Sequence, residues 1–187
     1  MPTSVVLFNR VLRLHDHPAL ATAVRRSDRV VPLFVVDPAI VGGPFGSPNR
    51  LSFLRDTLVD LRRSLRARGG DLVLRHGDPA AVAVAVAIET GAGTIHHSAD
   101  AGRHALARTA RLHRLAADAG IEVVAHPGVA VVEPGLVRPS GGGDHFKVFT
   151  PYSRAWSALA RRPVAAVPAA VTLPDGLDPG DDPDRLI

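Results

Sequence analysis

Arg10, Arg13, His15, Asp16 and His17 fall within eight residues directly after the apolar run Ser4-Val5-Val6-Leu7-Phe8. Guanidinium, imidazole and carboxylate groups in that density suit the binding of a polar or anionic ligand. Pro18 follows, at a position fit for the first turn of a helix, where its missing N–H costs nothing. Strand, charged loop and helix start together describe the carboxyl edge of an α/β sheet, where such folds keep their ligand sites. Other chemistries find less support. His96, His97 and His104 invite a metal reading, but adjacent histidines on a strand point to opposite faces, and no carboxylate or thiol completes a closed set. Ser98 and Asp100 are neighbours, yet no G-x-S-x-G elbow is present. Neither G-x-G-x-x-G after the first strand nor G-x-x-x-x-G-K-[ST] occurs, so dinucleotide and P-loop phosphate binding are unsupported.

The elements that must position these groups alternate regularly. Strands are expected at Val5–Phe8, Val30–Val36, Leu72–Arg75, Gly93–His97 and Ile121–Ala125. Helices are expected at Ala19–Arg26, at Ser47–Arg68, from Asp78-Pro79 through Glu89, and at Arg103–Ala119. In the second of these, Leu51, Leu54, Leu58, Leu61 and Leu65 form one apolar stripe, and Arg62, Arg63, Arg66 and Arg68 load the final turns against the helix dipole. The third is apolar nearly all round, which suggests burial on two sides. Alternation of this kind gives an α/β fold, a doubly wound sheet of about five parallel strands with helices on both faces. Beyond Ala125 the pattern loosens. Val129–Val132 reads as a short extra strand, Tyr152–Arg161 as a short helix, and the Pro-rich end from Arg162 as a linker with little to pack. The chain divides into residues 1–133 as the α/β domain, 134–161 as an extension, and 162–187 as a linker or tail.

Two stretches carry a family resemblance. Val5-Val6-Leu7-Phe8-Asn9-Arg10-Val11-Leu12-Arg13-Leu14-His15-Asp16-His17-Pro18-Ala19-Leu20 resembles the opening W-F-R-x-D-L-R-x-x-D-N-x-A-L signature of the photolyase and cryptochrome family. Val148-Phe149-Thr150-Pro151-Tyr152-Ser153-Arg154-Ala155-Trp156 resembles the V-F-T-P-F-x-x-x-W segment that closes that family's N-terminal domain. Asp37-Pro38 and the run Arg50–Pro79 are also similar. The resemblance implies the strand order 3-2-1-4-5 and an antenna chromophore at the carboxyl edge. That pigment is 8-hydroxy-5-deazaflavin, methenyltetrahydrofolate or a flavin such as FMN. The loop Ser98-Ala99-Asp100 and the lead-in Asp144-His145-Phe146 resemble high-GC actinobacterial photolyases, which favours the deazaflavin.

The expected site has Phe34, Val35 and Val36 as wall, Asp37 and Asp100 as acceptors, Ser98 as a lining residue and Arg50 as the cation. Leu7, Asn9, Val11 and Gly102 depart from the family pattern, and the loss of Asp at Val11 removes an expected partner for Arg10 or Arg13. FAD and repair chemistry would belong to a helical domain, in cis or in trans, that this chain lacks. By this reading the chain is not catalytic alone and becomes part of a deoxyribodipyrimidine photolyase-like protein where that domain is supplied. The competing expectation is a non-pigmented scaffold or interaction domain with the same fold. An adenine-nucleotide-binding relative ranks last, for want of a phosphate loop.

Composition bounds these readings. The chain has 187 residues, 46% of them hydrophobic, and a net charge of +4. Among the 22 basic residues only Lys147 is not Arg, and acidic residues are interspersed, so weak or no DNA binding is expected of this domain alone. No apolar run is long enough to span a bilayer. There is no cysteine, which excludes disulfides and thiolate metal sites, and no signal-peptide pattern; a cytoplasmic location is expected.

Overall fold

In the computed structural model, which describes residues 1–44 and 46–185, the apolar run after the N-terminus becomes β1 (Thr3–Phe8) at the centre of a five-stranded sheet. β2 (Arg29–Val36), β3 (Val73–His76), β4 (Thr94–Ser98) and β5 (Glu122–His126) complete it, all parallel, in the order β3-β2-β1-β4-β5. Five helices lie between strands in sequence: α1 (Pro18–Arg26), α2 (Pro38–Val41), α3 (Pro48–Arg66), α4 (Pro79–Glu89) and α5 (Arg103–Asp118). α6 (Phe149–Ala158) comes later, and Val129–Val132 forms bends rather than a strand. No helix among the described residues is long and apolar enough to cross a membrane.

Alternation along the strands divides the core into two layers. Val5, Leu7, Val31, Leu33, Val35, Val73 and Ile95 pack with Ala80, Ala83 and Ala87 of α4 and with Leu112 and Ala116 of α5. Val6, Phe8, Val30, Phe34 and Val36 pack with Ala19, Leu20 and Ala23 of α1 and with Leu58, Leu61 and Leu65 of α3. Each large side chain so buried contributes roughly 1.5–3 kcal/mol. α4 is covered on its sheet and α5 sides only, and Ile88 stays exposed.

The stretch read as a linker is laid along the β3 side of the sheet. Val30 donates to Thr172 (2.8 Å), Leu74 to Pro179 (2.8 Å) and Val171 to Arg68 (2.9 Å), and Val171 enters the second core layer. Its few apolar residues give no periodic signal, but main-chain pairing and one buried cation need none. Pro32 is tolerated inside β2 for a related reason. Its nitrogen faces the same side as Val30, between the Thr172 contact and the start of β3 at Val73. The last two residues of the expected tail, Leu186 and Ile187, lie outside the described residues.

Arg62 is the buried cation. It is 5% exposed, and instead of complementing a helix dipole in solvent it turns inward. It donates to Asp71 (2.9 Å), to the Leu72 carbonyl (3.0 Å) and to the Asp181 carbonyl of the tail (3.0 Å). At the far side Asp16 accepts two bonds from Arg162 (2.6 and 2.8 Å) and one from the Ala165 N–H (2.9 Å). These contacts hold the Asp16 carboxyl well below the usual carboxylate range. Gly180, at φ +75°, has no room for a Cβ against the Leu74 carbonyl.

His17, His96, His97 and His126 are buried. His17 caps α1, its Nδ1 accepting from the Leu20 N–H at 3.1 Å, and burial pushes its pKa down to about 4. His96 and His126 share a ring-to-ring hydrogen bond of 2.9 Å, which requires an unprotonated nitrogen on one of the rings; burial and then His126 push His96 down to about 4.

These buried charges and rings set two measurable outcomes. Arg62→Ala should lower the unfolding free energy by roughly 3 kcal/mol, because it takes the buried cation from Asp71, which among the described residues keeps only the exposed Arg66 as a charged partner, and leaves the Leu72 and Asp181 carbonyls without this donor. Arg66→Ala, an exposed partner of the same Asp71, should cost less than about 1 kcal/mol; urea titration compares them. The histidines give a pH dependence. The folded pKa of His17 and of His96 lies below the unfolded value, so the unfolded chain binds more protons between about pH 6.5 and 4. Stability is therefore full above about pH 6.5 and falls toward pH 4. At pH 5 the loss should be roughly 2 kcal/mol for each of His17 and His96, read from urea midpoints at pH 7 and 5.

Candidate functional site

Because every strand runs the same way, the carboxyl ends of β1 and β2 open on one edge, and a pocket forms there. Asp37 ends β2 and caps α2, its Oδ1 accepting from the Ala39 N–H at 2.9 Å, and Pro38 pre-sets the first turn. This short helix folds Ile40 and Val41 over the strand ends. Leu54 of α3, Pro79 at the start of α4 and Arg108 of α5 close the remaining sides around Leu7, Phe8, Asn9 and Phe34–Asp37. The cavity measures about 70 Å³.

Its wall is apolar apart from Asn9, Asp37 and Arg108. Asp37 is committed to its cap. The Asn9 Oδ1 is buried and accepts no hydrogen bond among the described residues. Arg108 is half-buried and makes no hydrogen bond or salt bridge among the described residues. Burial lowers its pKa, against the opposing pull of Asp100 and Asp37. The site is thus a greasy slot with one free cation and one unsatisfied carbonyl. It can grip a flat ligand that carries an anion and a hydrogen-bond donor.

The structure brings Phe34, Val35, Val36 and Asp37 together in this wall, where the sequence placed them. It does not bring Arg50 in. Arg50 sits exposed in the first turn of α3, and Leu54, one turn on, meets the pocket. Ser98 is buried at the end of β4, away from the lining. Asp100 pairs with Arg10 at 3.6 Å, accepts from the Gly102 N–H at 2.9 Å, and lines a neighbouring depression beside Leu106 and Val129. Arg10 and Arg13 both find acids despite the buried Val11, Arg13 through Asp16 at 3.7 Å. The sequence reading missed Arg108; the signal for it is helical spacing, because Ala105, Leu112 and Ala116 form the buried stripe of α5 and Arg108 falls on it. The three histidines of the metal reading separate, with His96 bonded to His126, His97 buried and its Nε2 without a partner among the described residues, and His104 exposed. No group of three or more His, Cys, Asp or Glu converges among the described residues.

A second surface feature lies outside the sheet. α6 buries none of its residues, and Val148, Phe149 (76% exposed) and Tyr152 present an apolar aromatic face, with Phe146 packed edge-on to Tyr152.

Residues 4–170 match the family described as DNA photolyase. A deoxyribodipyrimidine photo-lyase of Streptomyces griseus is 46% identical over 186 residues, covering 99% of this chain and 41% of that protein. The crystal structure of a bacterial class III photolyase from Agrobacterium tumefaciens superposes with a TM-score of 0.88 at 27% identity, over 98% of this chain and 37% of that one. An archaeal photolyase from Sulfolobus tokodaii, described with two FAD molecules and an implied novel light-harvesting cofactor, shares the fold with a TM-score of 0.78 at 24% identity, over 97% of this chain and 40% of that one. The chain spans about two fifths of the length of these proteins.

Proposed function

The chain belongs to the DNA photolyase family, and we propose that it serves as that family's N-terminal α/β part, holding an antenna chromophore in the pocket at the ends of β1 and β2. The observation that carries this reading is the unpaired, half-buried Arg108 facing an apolar slot. A desolvated cation with no acid in contact favours an anionic ring or tail. The second cofactor described for the Sulfolobus tokodaii relative supports an antenna role within this fold. Among the candidate pigments 8-hydroxy-5-deazaflavin fits best, because its ring itself ionises and can meet Arg108 inside the slot, whereas methenyltetrahydrofolate and FMN carry their anions on a tail. Bound there, the pigment supplies absorption of blue light and passes excitation on.

The chain's own residues have simpler tasks. Phe34, Val35, Val36 and Leu54 exclude water from the ring faces, and Arg108 fixes the ionised form by charge. FAD and light-driven repair of DNA belong, in this reading, to a helical partner domain in cis or in trans. The exposed Phe149 and Tyr152 face of α6 suits such a partner. The chain alone neither repairs DNA nor binds it strongly, and it works in the cytoplasm.

A specific observation favours a second reading. About 70 Å³ is far below the roughly 300–1,000 Å³ of ordinary ligand sites, so a three-ring pigment requires Ile40 and Val41 to move outward. A scaffold that has lost its pigment would show the closed pocket and nothing more.

Titration with 8-hydroxy-5-deazaflavin, methenyltetrahydrofolate and FMN, followed by absorbance and fluorescence, separates the two. We expect saturable binding of the deazaflavin, weakened about tenfold to a hundredfold by Arg108→Gln. Arg50→Ala should leave the affinity unchanged. Failure of all three pigments to bind would leave the scaffold reading.

A further inference from the structure

The same pocket is built to select which edge of a ligand enters it, an inference that rests on the pigment reading. Asn9 is the first residue past β1, and its Oδ1 is shut off from solvent with no donor in reach among the described residues. Its side-chain Nδ2 likewise forms no hydrogen bond among the described residues. A buried carbonyl left without a donor is costly, and such groups in folded proteins call for an explanation. The other polar groups of the wall do not supply one. Asp37 is an acceptor and is already used by the Ala39 N–H, and Arg108 makes no bond to Asn9.

We propose that the Asn9 carboxamide is the specificity-determining contact of the pocket, and that it reads a lactam edge, an N–H beside a C=O, on a planar heteroaromatic anion. A primary amide presents an acceptor and a donor side by side. Its complement is a ring edge with a donor and an acceptor at the same spacing, the arrangement by which Asn pairs in two bonds with a base edge. Arg108 lies in the same wall and takes the anionic oxygen, and the aliphatic and aromatic side chains take the ring faces. Pyrimidinediones and pterins have such an edge. Flat hydrophobic rings without it leave the Asn9 carbonyl unsatisfied and are rejected. Arg108 therefore decides charge, and Asn9 decides which way round the ring enters.

The test uses two probes, 8-hydroxy-5-deazariboflavin and its N3-methyl derivative, which keeps the anion and the ring but lacks the lactam N–H. Both are titrated by fluorescence against the 187-residue chain. The wild-type protein should prefer the N–H probe by about tenfold to a hundredfold. Asn9→Leu should erase the preference by weakening the N–H probe alone. Arg108→Gln should weaken both probes and keep their ratio. Circular dichroism and thermal melting verify the fold, and Asn9→Ser replaces Asn9→Leu if the larger change unfolds the chain. The comparison of the two probes on wild type needs no variant. Equal affinities there would overturn the role of Asn9 while leaving the pigment reading intact. Binding of neither probe would remove the pigment reading and this inference with it.

Discussion

Hydrogen bonding of β1 on both sides by parallel neighbours is the constraint on which the rest depends. Parallel pairing forbids hairpins, so every connection must cross a face of the sheet, and both faces become covered. That is why Val5 and Leu7 can be as buried as Val6 and Phe8. The same geometry brings all the carboxyl ends to one edge. The chain leaves β1 toward β2 on one side and reaches β4 on the other, so the loops after β1, β2 and β4 diverge and leave room between them. The pocket is a consequence of that topology. Only its chemistry is a matter of choice in the sequence.

The tail shows a different kind of stabilisation. β3 is an edge strand, and an unpaired edge is an invitation to other chains. Here Pro179 supplies a carbonyl to Leu74, and Arg62 ties the same segment to Asp71 and Leu72. Apolar periodicity reports side chains that face a core, and this segment contributes few, Val171 among them. Its contacts are made by main-chain carbonyls and by one arginine that, in α3, has the sequence signature of a surface charge. Reading charge clusters at a helix end as dipole partners misses Arg62, although its spacing from Leu58 and Leu65 puts it, alone of the four arginines, on the buried stripe of α3.

The strands and the four long helices between them are legible to within a few residues, since each has a clean apolar pattern and most have a Gly, Pro or Asp at an end. The four-residue α2 is not, being too short for a period and lacking any buried residue. The site is legible in proportion. Phe34–Asp37 follow from the strand end. Arg50 has the place at a helix start where a cation is expected, whereas Arg108, which stands in the buried stripe of α5, is the one that lines the pocket. Ligand-facing cations sit where a helix turns toward the pocket, and that depends on the rotation of α3 and α5 against the sheet, which the buried residues around each arginine encode.

Arg108 and Asn9 also explain one another. Asp100 and Asp37 lie near enough to Arg108 to favour its charge, yet Asp100 is engaged by Arg10 and Asp37 by its helix cap. Acids that are already occupied support a cation without neutralising it, and this leaves its hydrogen bonds free. A second arginine at position 9, as in the family signature, would add like charge beside Arg108 in a low-dielectric slot, where repulsion is poorly screened. Asn9 removes that repulsion and replaces a charge with a directional amide. In the proposed reading the pocket keeps one charge for an anion and one amide for the edge of its ring. The buried carbonyl of Asn9 is the structural cost of having an amide there, and on that reading a ligand donor offsets it.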